Sequence, residues 1–331
     1  MRKRRLKLLN ETACYHITCR VVDRDFKFDG KVKRKILKLL RKAAFFSDVQ
    51  IIAFAILSNH IHILVRITPQ RGFISEEKIR ERLEMLYEEK ALLEIYRRWD
   101  VARELGMEEL VQKELDALRL RMNDLSEFVK TFKQRVTSWF NKSLGRVGTL
   151  WEGRFHSILV QNNRFGSALR SIAAYIDLNP VRAGIVNDPA QYEFSSYGQA
   201  CREDSQAREG LKEVLPPSKD GSWNSFESAY CEILYEREED KRGPKAAQRL
   251  ETALKTRYTL PEILRRKVRY FVGGLVIGDR EFVNRIFEEH RDLFGPKRKD
   301  GARSIPHCTD WKGKVYSARD LRKDVIGPLL C

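Results

Sequence analysis

The chain has 331 residues, 42% of them hydrophobic, and 63 Lys+Arg against 46 Asp+Glu leave a net charge of +17. That length holds one large domain or two ordinary ones. The one-sided charge points to a polyanionic partner, with nucleic acid the first choice. Six cysteines form no C-x-x-C pair, which argues against a zinc ribbon, and no apolar run approaches the ~18–20 residues of a membrane span. Met1-Arg-Lys-Arg-Arg is charged and no apolar leader follows it, so a reduced, cytoplasmic location is expected.

In chain order, residues 13–22 (ACYHITCRVV) read as a strand with Tyr15, Ile17, Cys19 and Val21 on one face. Residues 31–46 carry an apolar stripe, Val32, Ile36, Leu39, Leu40 and Ala43, at helical spacing. Two further strands, 49–56 and 60–67, are separated by the short turn Leu57-Ser58-Asn59 and predict a hairpin. Residues 76–122 are highly charged and helical, with Ser75 and Asp100 as candidate N-caps, and read as a helical hairpin inserted into the domain. A helix over 126–144 carries Phe128, Phe132, Val136 and Phe140, and a strand follows near 155–160. A helix over 164–178 turns Leu169, Ile172, Ala173 and Ile176 inward and ends at Asn179-Pro180.

This order predicts an α+β fold with a ferredoxin-like, split βαβ antiparallel sheet and helices on one face. The catalytic domain is expected over 1–200, a linker with Pro216-Pro217 over 201–222, and a helical C-terminal extension over 223–331. Within that extension, 261–271 and 279–293 read as a helix pair around the turn GGLVIG, loosely like a DNA-binding helix-turn-helix.

The chemistry starts with His60 and His62. Residues i and i+2 of a strand point the same way, so both imidazoles aim at one place while Ile61, Ile63 and Val65 pack on the other face. Tyr175 and Asn179 are spaced i,i+4 and share a helix face. If that face opposes the histidine strand, a phenol and an amide oxygen meet two imidazoles. A tyrosine beside a metal is a candidate phosphodiester nucleophile; the competing reading is a buried aromatic on a core helix.

HIH on a strand, then GTLWEGRFHSILV, YIDLNPVRAGIV and YEFSSY together resemble the REP-associated tyrosine transposases, single-tyrosine relatives of the HUH transposases, over about residues 10–200. The resemblance implies that Tyr175 is the nucleophile and that His60, His62 and Asn179 hold a divalent ion, Mg²⁺ or Mn²⁺. It implies cleavage and rejoining of single-stranded, hairpin-forming DNA through a 5′-phosphotyrosine, in the cytoplasm of a bacterium and at the nucleoid when DNA is bound. No nucleotide cofactor is required, and no G-x-x-x-x-G-K-[ST] loop occurs. Arg2, Lys3, Arg4 and Arg5 are expected to follow phosphates or reach the hairpin foot, and Arg154 and Arg182 to contact DNA near the active site. His156 is expected to be a structural histidine, and the chain a monomer rather than a dimer. The competing functions are a DNA-binding protein on this fold that does not cleave, and a metal-dependent hydrolase that uses water, with Tyr175 structural.

Overall fold

The computed structural model describes residues 5–163, 167–216, 220–235, 271, 273–304 and 315–318. The first strand, β1 (Ala13–Arg20), leads to helix α1 (Gly30–Ser47), whose first turn is capped by Asp29 accepting from the Val32 N–H. Strands β2 (Val49–Ile56) and β3 (His60–Ile67) form the expected hairpin. Helix α5 (Leu125–Ser143) and strand β4 (His156–Val160) complete the unit. The strands lie in the order β2-β3-β1-β4 and all three pairings are antiparallel, which is the ferredoxin-like arrangement predicted from the sequence.

Helices cover both faces of this sheet, not one. Tyr15, Ile17 and Cys19 of β1 and Ile61, Ile63 and Val65 of β3 pack with Ile36 and Leu40 of α1 and Phe128 and Phe132 of α5. The opposite face takes helix α6 (Ser167–Asp177), the single turn α7 (Asn179–Arg182) and helices α8 (Ser196–Ala200), α9 (Ser205–Lys212) and α10 (Trp223–Leu234). Their apolar residues, among them Leu169, Ile172, Leu211 and Phe226, meet Cys14, Leu64 and Ile158 of the sheet. The histidines of β3 therefore face into a protein layer.

The stretch expected as a linker contains α9, which is packed on β2. A Cβ at Gly210 would lie 2.6 Å from the Ile51 carbonyl oxygen and 2.8 Å from that of Ile52, so only glycine allows this approach. The contact falls where the β2–β3 register shifts between Ile51 and Ala53. The sheet also continues into the C-terminal part. GGLVIG, read as a turn, contributes β5 (Val276–Gly278), which runs parallel to β4. Strands β6 (Arg303–Ser304) and β7 (Tyr316–Ser317) extend the sheet to seven strands among the described residues, and helix α11 (Arg280–Glu289) follows β5. The other expected helix of the pair, 261–271, lies outside the described residues apart from Phe271.

The insertion forms three helices, α2 (Glu76–Leu86), α3 (Glu89–Glu104) and α4 (Glu108–Arg119). They enclose a small core of their own, with Trp99 and Leu83 buried against Phe46 of α1. Ser75 caps α2 as expected, whereas Asp100 lies inside α3. No described helix is long and apolar enough to cross a membrane.

Candidate active site

In the β1–β3 register Arg20 lies opposite His60 and Thr18 opposite His62, so Thr18, Arg20 and both histidines share the face that α6 covers. His60, at the start of β3, is half-buried, and its Nδ1 is 2.7 Å from Asn59 Oδ1. His62 is only 3% exposed. The two rings lie 5.1 Å apart, nearly perpendicular. Of the two, only His60 sits at the end of its strand.

Helix α6 brings Tyr175 to this face. Its ring meets those of His62 and His16 edge-on, at 6.3 and 6.4 Å between centroids. Tyr175 is 2% exposed, and Phe271, from the C-terminal part, packs against it at 5.1 Å. The chain leaves α6 at Asp177 and resumes as α7, with Pro180 in the first turn, where a missing N–H leaves no hydrogen bond unmade. This turn returns Arg182 onto Tyr175, with its guanidinium carbon 3.7 Å from the ring centroid and Nη2 donating to the Tyr175 carbonyl. Asn179 is buried, and its Nδ2 has no hydrogen-bond partner among the described residues.

Helix α6 is fixed by Asp177, whose carboxylate accepts from the Tyr197 N–H and from the Tyr230 hydroxyl. Burial pushes the Asp177 carboxyl up to about 7 against these two donors. Burial also raises the Tyr175 phenol, while the charge of Arg182 acts to lower it. The imidazoles are held neutral: desolvation and the charge of His156 bring His16 down to about 3, and desolvation with its His16 and His60 neighbours holds His62 well below its ordinary value.

His16 is the residue that sequence reading missed. Its Nε2 lies 2.8 Å from His62 Nδ1, and the two rings stack at 5.0 Å. The signal was its alternation with Thr18 on β1, opposite the apolar residues used to define that strand. His156, expected to be structural, is exposed on β4 and lies opposite Thr18 in the β1–β4 register, in line with His62.

The LWEGRF motif closes the same end of the sheet. The Val22 N–H donates to the Leu150 carbonyl and the Glu152 N–H to that of Arg20. Arg154 is exposed there. Arg5 stacks on Phe155 with its guanidinium carbon 3.5 Å from the ring centroid, and donates to the Phe155 carbonyl at 3.0 Å. Desolvation, helped by Arg154, lowers the Arg5 guanidinium to about 10. Lys133 donates to the Gly153 carbonyl; it and Arg5 lie near Cys19, which packs on the α1–α5 face of the sheet, opposite the face of His60 and His62. Arg182, expected to contact DNA, is instead 5% exposed against Tyr175. Arg2, Lys3 and Arg4 lie outside the described residues.

Among the described residues no three His, Cys, Asp or Glu side chains converge as metal ligands. A cation here would need the mixed set of two imidazoles and an amide oxygen. That set fits the chemistry at His62, whose imidazole is held neutral, as a metal ligand must be.

An α+β sheet that buries a tyrosine edge-on against a strand histidine defines the candidate site. Residues 10–76, which span β1 to β3, match the family model described as transposase IS200 like. Among the solved structures that match it are two of low identity. One is a REP-associated tyrosine transposase bound to a REP hairpin, at 16% identity over 60% of this chain and 84% of that one, with a TM-score of 0.37. The other is a putative transposase from Deinococcus radiodurans R1, at 16% identity over 48% and 85%, with a TM-score of 0.24. No curated protein matches the chain.

Proposed function

We propose that this protein is a transposase that cleaves and rejoins single-stranded DNA, with Tyr175 as the nucleophile. The observation that carries the reading is the meeting of Tyr175 with His62 on a buried face, with Arg182 against the phenol ring. The Tyr175 oxygen attacks the scissile phosphorus, the phenol proton leaves, and the bond to the 3′-oxygen breaks. The products are a 5′-phosphotyrosine and a free 3′-hydroxyl. A second 3′-hydroxyl reverses the exchange and releases Tyr175, so bond energy is retained and no nucleotide cofactor is needed. Arg182 positions the ring and favours the phenolate. His60, His62 and Asn179 would hold a divalent ion, Mg²⁺ or Mn²⁺, which supplies charge compensation at the phosphate when bound. Arg5 and Arg154, with Arg2, Lys3 and Arg4, follow the backbone of a hairpin-forming strand, and the protein acts as a monomer.

The reading of a DNA-binding protein that does not cleave draws on one observation, the burial of Tyr175 beneath Phe271. Incubation with Mn²⁺ and a single-stranded hairpin carrying a 5′ overhang separates the two. The transposase reading predicts a covalent protein–DNA species that survives denaturing electrophoresis. DNA binding without that species supports the alternative.

A further inference from the structure

A single nitrogen of His62 gathers two polar partners from β1. His16 Nε2 is 2.8 Å and Thr18 Oγ1 3.3 Å from His62 Nδ1. The strand register produces this convergence, because Thr18 is directly opposite His62 and His16, opposite Leu64, is its diagonal neighbour. His16 is fully buried and His62 is 3% exposed, so Nδ1 is enclosed and Nε2 is the nitrogen left to meet a ligand.

A neutral imidazole carries its single proton on one nitrogen and a lone pair on the other, and the hydrogen bond made by one nitrogen decides which. A cation at Nε2 therefore requires the His62 proton on Nδ1, where it needs an acceptor. At 2.8 Å, with the rings stacked at 5.0 Å and 25°, His16 is the better placed acceptor, its own proton then lying on Nδ1 near the Phe271 backbone; the hydroxyl at 3.3 Å is the weaker. Metal-bound histidines usually donate this proton to a carboxylate or a carbonyl. Here no carboxylate hydrogen-bonds to His62 among the described residues, and a second neutral imidazole takes that place.

We propose that His16 is a positioning residue that holds His62 in its Nδ1–H tautomer and so presents the Nε2 lone pair to a divalent cation. This rests on the metal reading of His60 and His62 given above. It adds a residue that touches neither cation nor DNA, and it separates two partners that look equivalent in the strand: His16 sets the tautomer, whereas Thr18 only flanks it.

The test uses the full chain in three forms, wild type, His16→Phe and His16→Gln. Glutamine keeps an acceptor oxygen near the position of Nε2, whereas phenylalanine keeps the ring and removes the acceptor. Mn²⁺ is titrated and the free ion read by electron paramagnetic resonance, and the His62 tautomer is read from long-range ¹⁵N–¹H correlations of metal-free protein. Wild type is expected to bind Mn²⁺ with His62 protonated at Nδ1. His16→Phe is expected to bind about 10–100-fold more weakly and to lose that tautomer. His16→Gln is expected to restore both. Wild-type His62 protonated at Nε2, or Mn²⁺ binding unchanged in His16→Phe, overturns the inference while leaving the metal reading intact. No Mn²⁺ binding by wild type, or equal binding by His62→Ala, overturns the metal reading and this inference with it.

Discussion

The guanidinium of Arg182 lies 3.7 Å from the centre of the Tyr175 ring while its Nη2 donates to the carbonyl of the same residue. One side chain thus fixes both the ring and the backbone of the proposed nucleophile. The arrangement exists because α7 follows α6 after a break at Leu178, which puts Arg182 back under Tyr175.

Replacing Arg182 with Met removes the charge and keeps most of the packing. The phenol then loses the larger of the two cationic influences, Arg182 ahead of Arg20, that oppose its desolvation, so it ionises at higher pH. Single-turnover cleavage at neutral pH is expected to slow at least about tenfold, equivalent to ~1.4 kcal/mol, with the rising limb of the pH–rate profile displaced upward. Hairpin affinity is expected to change little, because Arg182 is not at the surface.

His62→Ala and His60→Ala are expected to differ in stability. Loss of His62 strips a buried partner from His16, at a cost of about 1–3 kcal/mol. His60 is half-buried at the start of its strand, and its replacement should cost under about 1 kcal/mol. Denaturant midpoints for the two variants check this; equal losses would mean that the buried imidazole pair adds nothing.

Asp177 gives the nucleophile helix a pH response. Its carboxyl is raised to about 7 in the folded protein, against an ordinary value near ~3.9 in the unfolded chain. Between these values the folded state holds more protons than the unfolded state, so this group's contribution falls as pH rises from about 4 to 7 and levels off above. Asp177→Asn is expected to remove that decline. Melting temperatures of both proteins across this range, compared as a difference, isolate the contribution.

Gly210→Ala tests whether α9 is packed or a linker. The new methyl group would meet the Ile51 and Ile52 carbonyls at 2.6 and 2.8 Å, so a destabilisation of about 1–3 kcal/mol is expected. A linker residue would tolerate alanine without loss.

How far the sequence carries the account depends on periodicity. β1 and α1 were legible through periods of 2 and 3.6, β2 and β3 as apolar runs on either side of a short turn, and the HIH pair marked its own face. The second helical layer was not legible, because His60, His62 and Arg66 make the covered face of β3 look like a solvent-facing one. β5 escaped notice because three residues are too few to show a period and GGLVIG resembles a turn. Tyr192 and Tyr197, equal to Tyr175 as candidate nucleophiles by residue type, are separated from it only by three-dimensional contacts. Tyr192 donates to the Ile56 carbonyl, and the Tyr197 hydroxyl meets Glu227 and Cys231.

Removing residues 1–7 is expected to make the dependence of hairpin affinity on salt shallower, by about 0.7 in log–log slope for each phosphate that is no longer neutralised. The specificity for hairpin over scrambled DNA should also fall, because Arg5 is anchored on Phe155 near the exposed Arg154. Filter binding at several salt concentrations measures both quantities. An unchanged slope and an unchanged ratio would assign the +17 charge to another surface.

The most direct measurement is mass spectrometry of the peptide that carries covalently bound DNA after reaction of the full chain with a single-stranded hairpin and Mn²⁺. The account predicts a nucleotide attached through its 5′-phosphate to Tyr175, and no adduct in Tyr175→Phe despite near-normal hairpin binding. Cleavage that persists in Tyr175→Phe, or an adduct on Tyr192 or Tyr197, would contradict it.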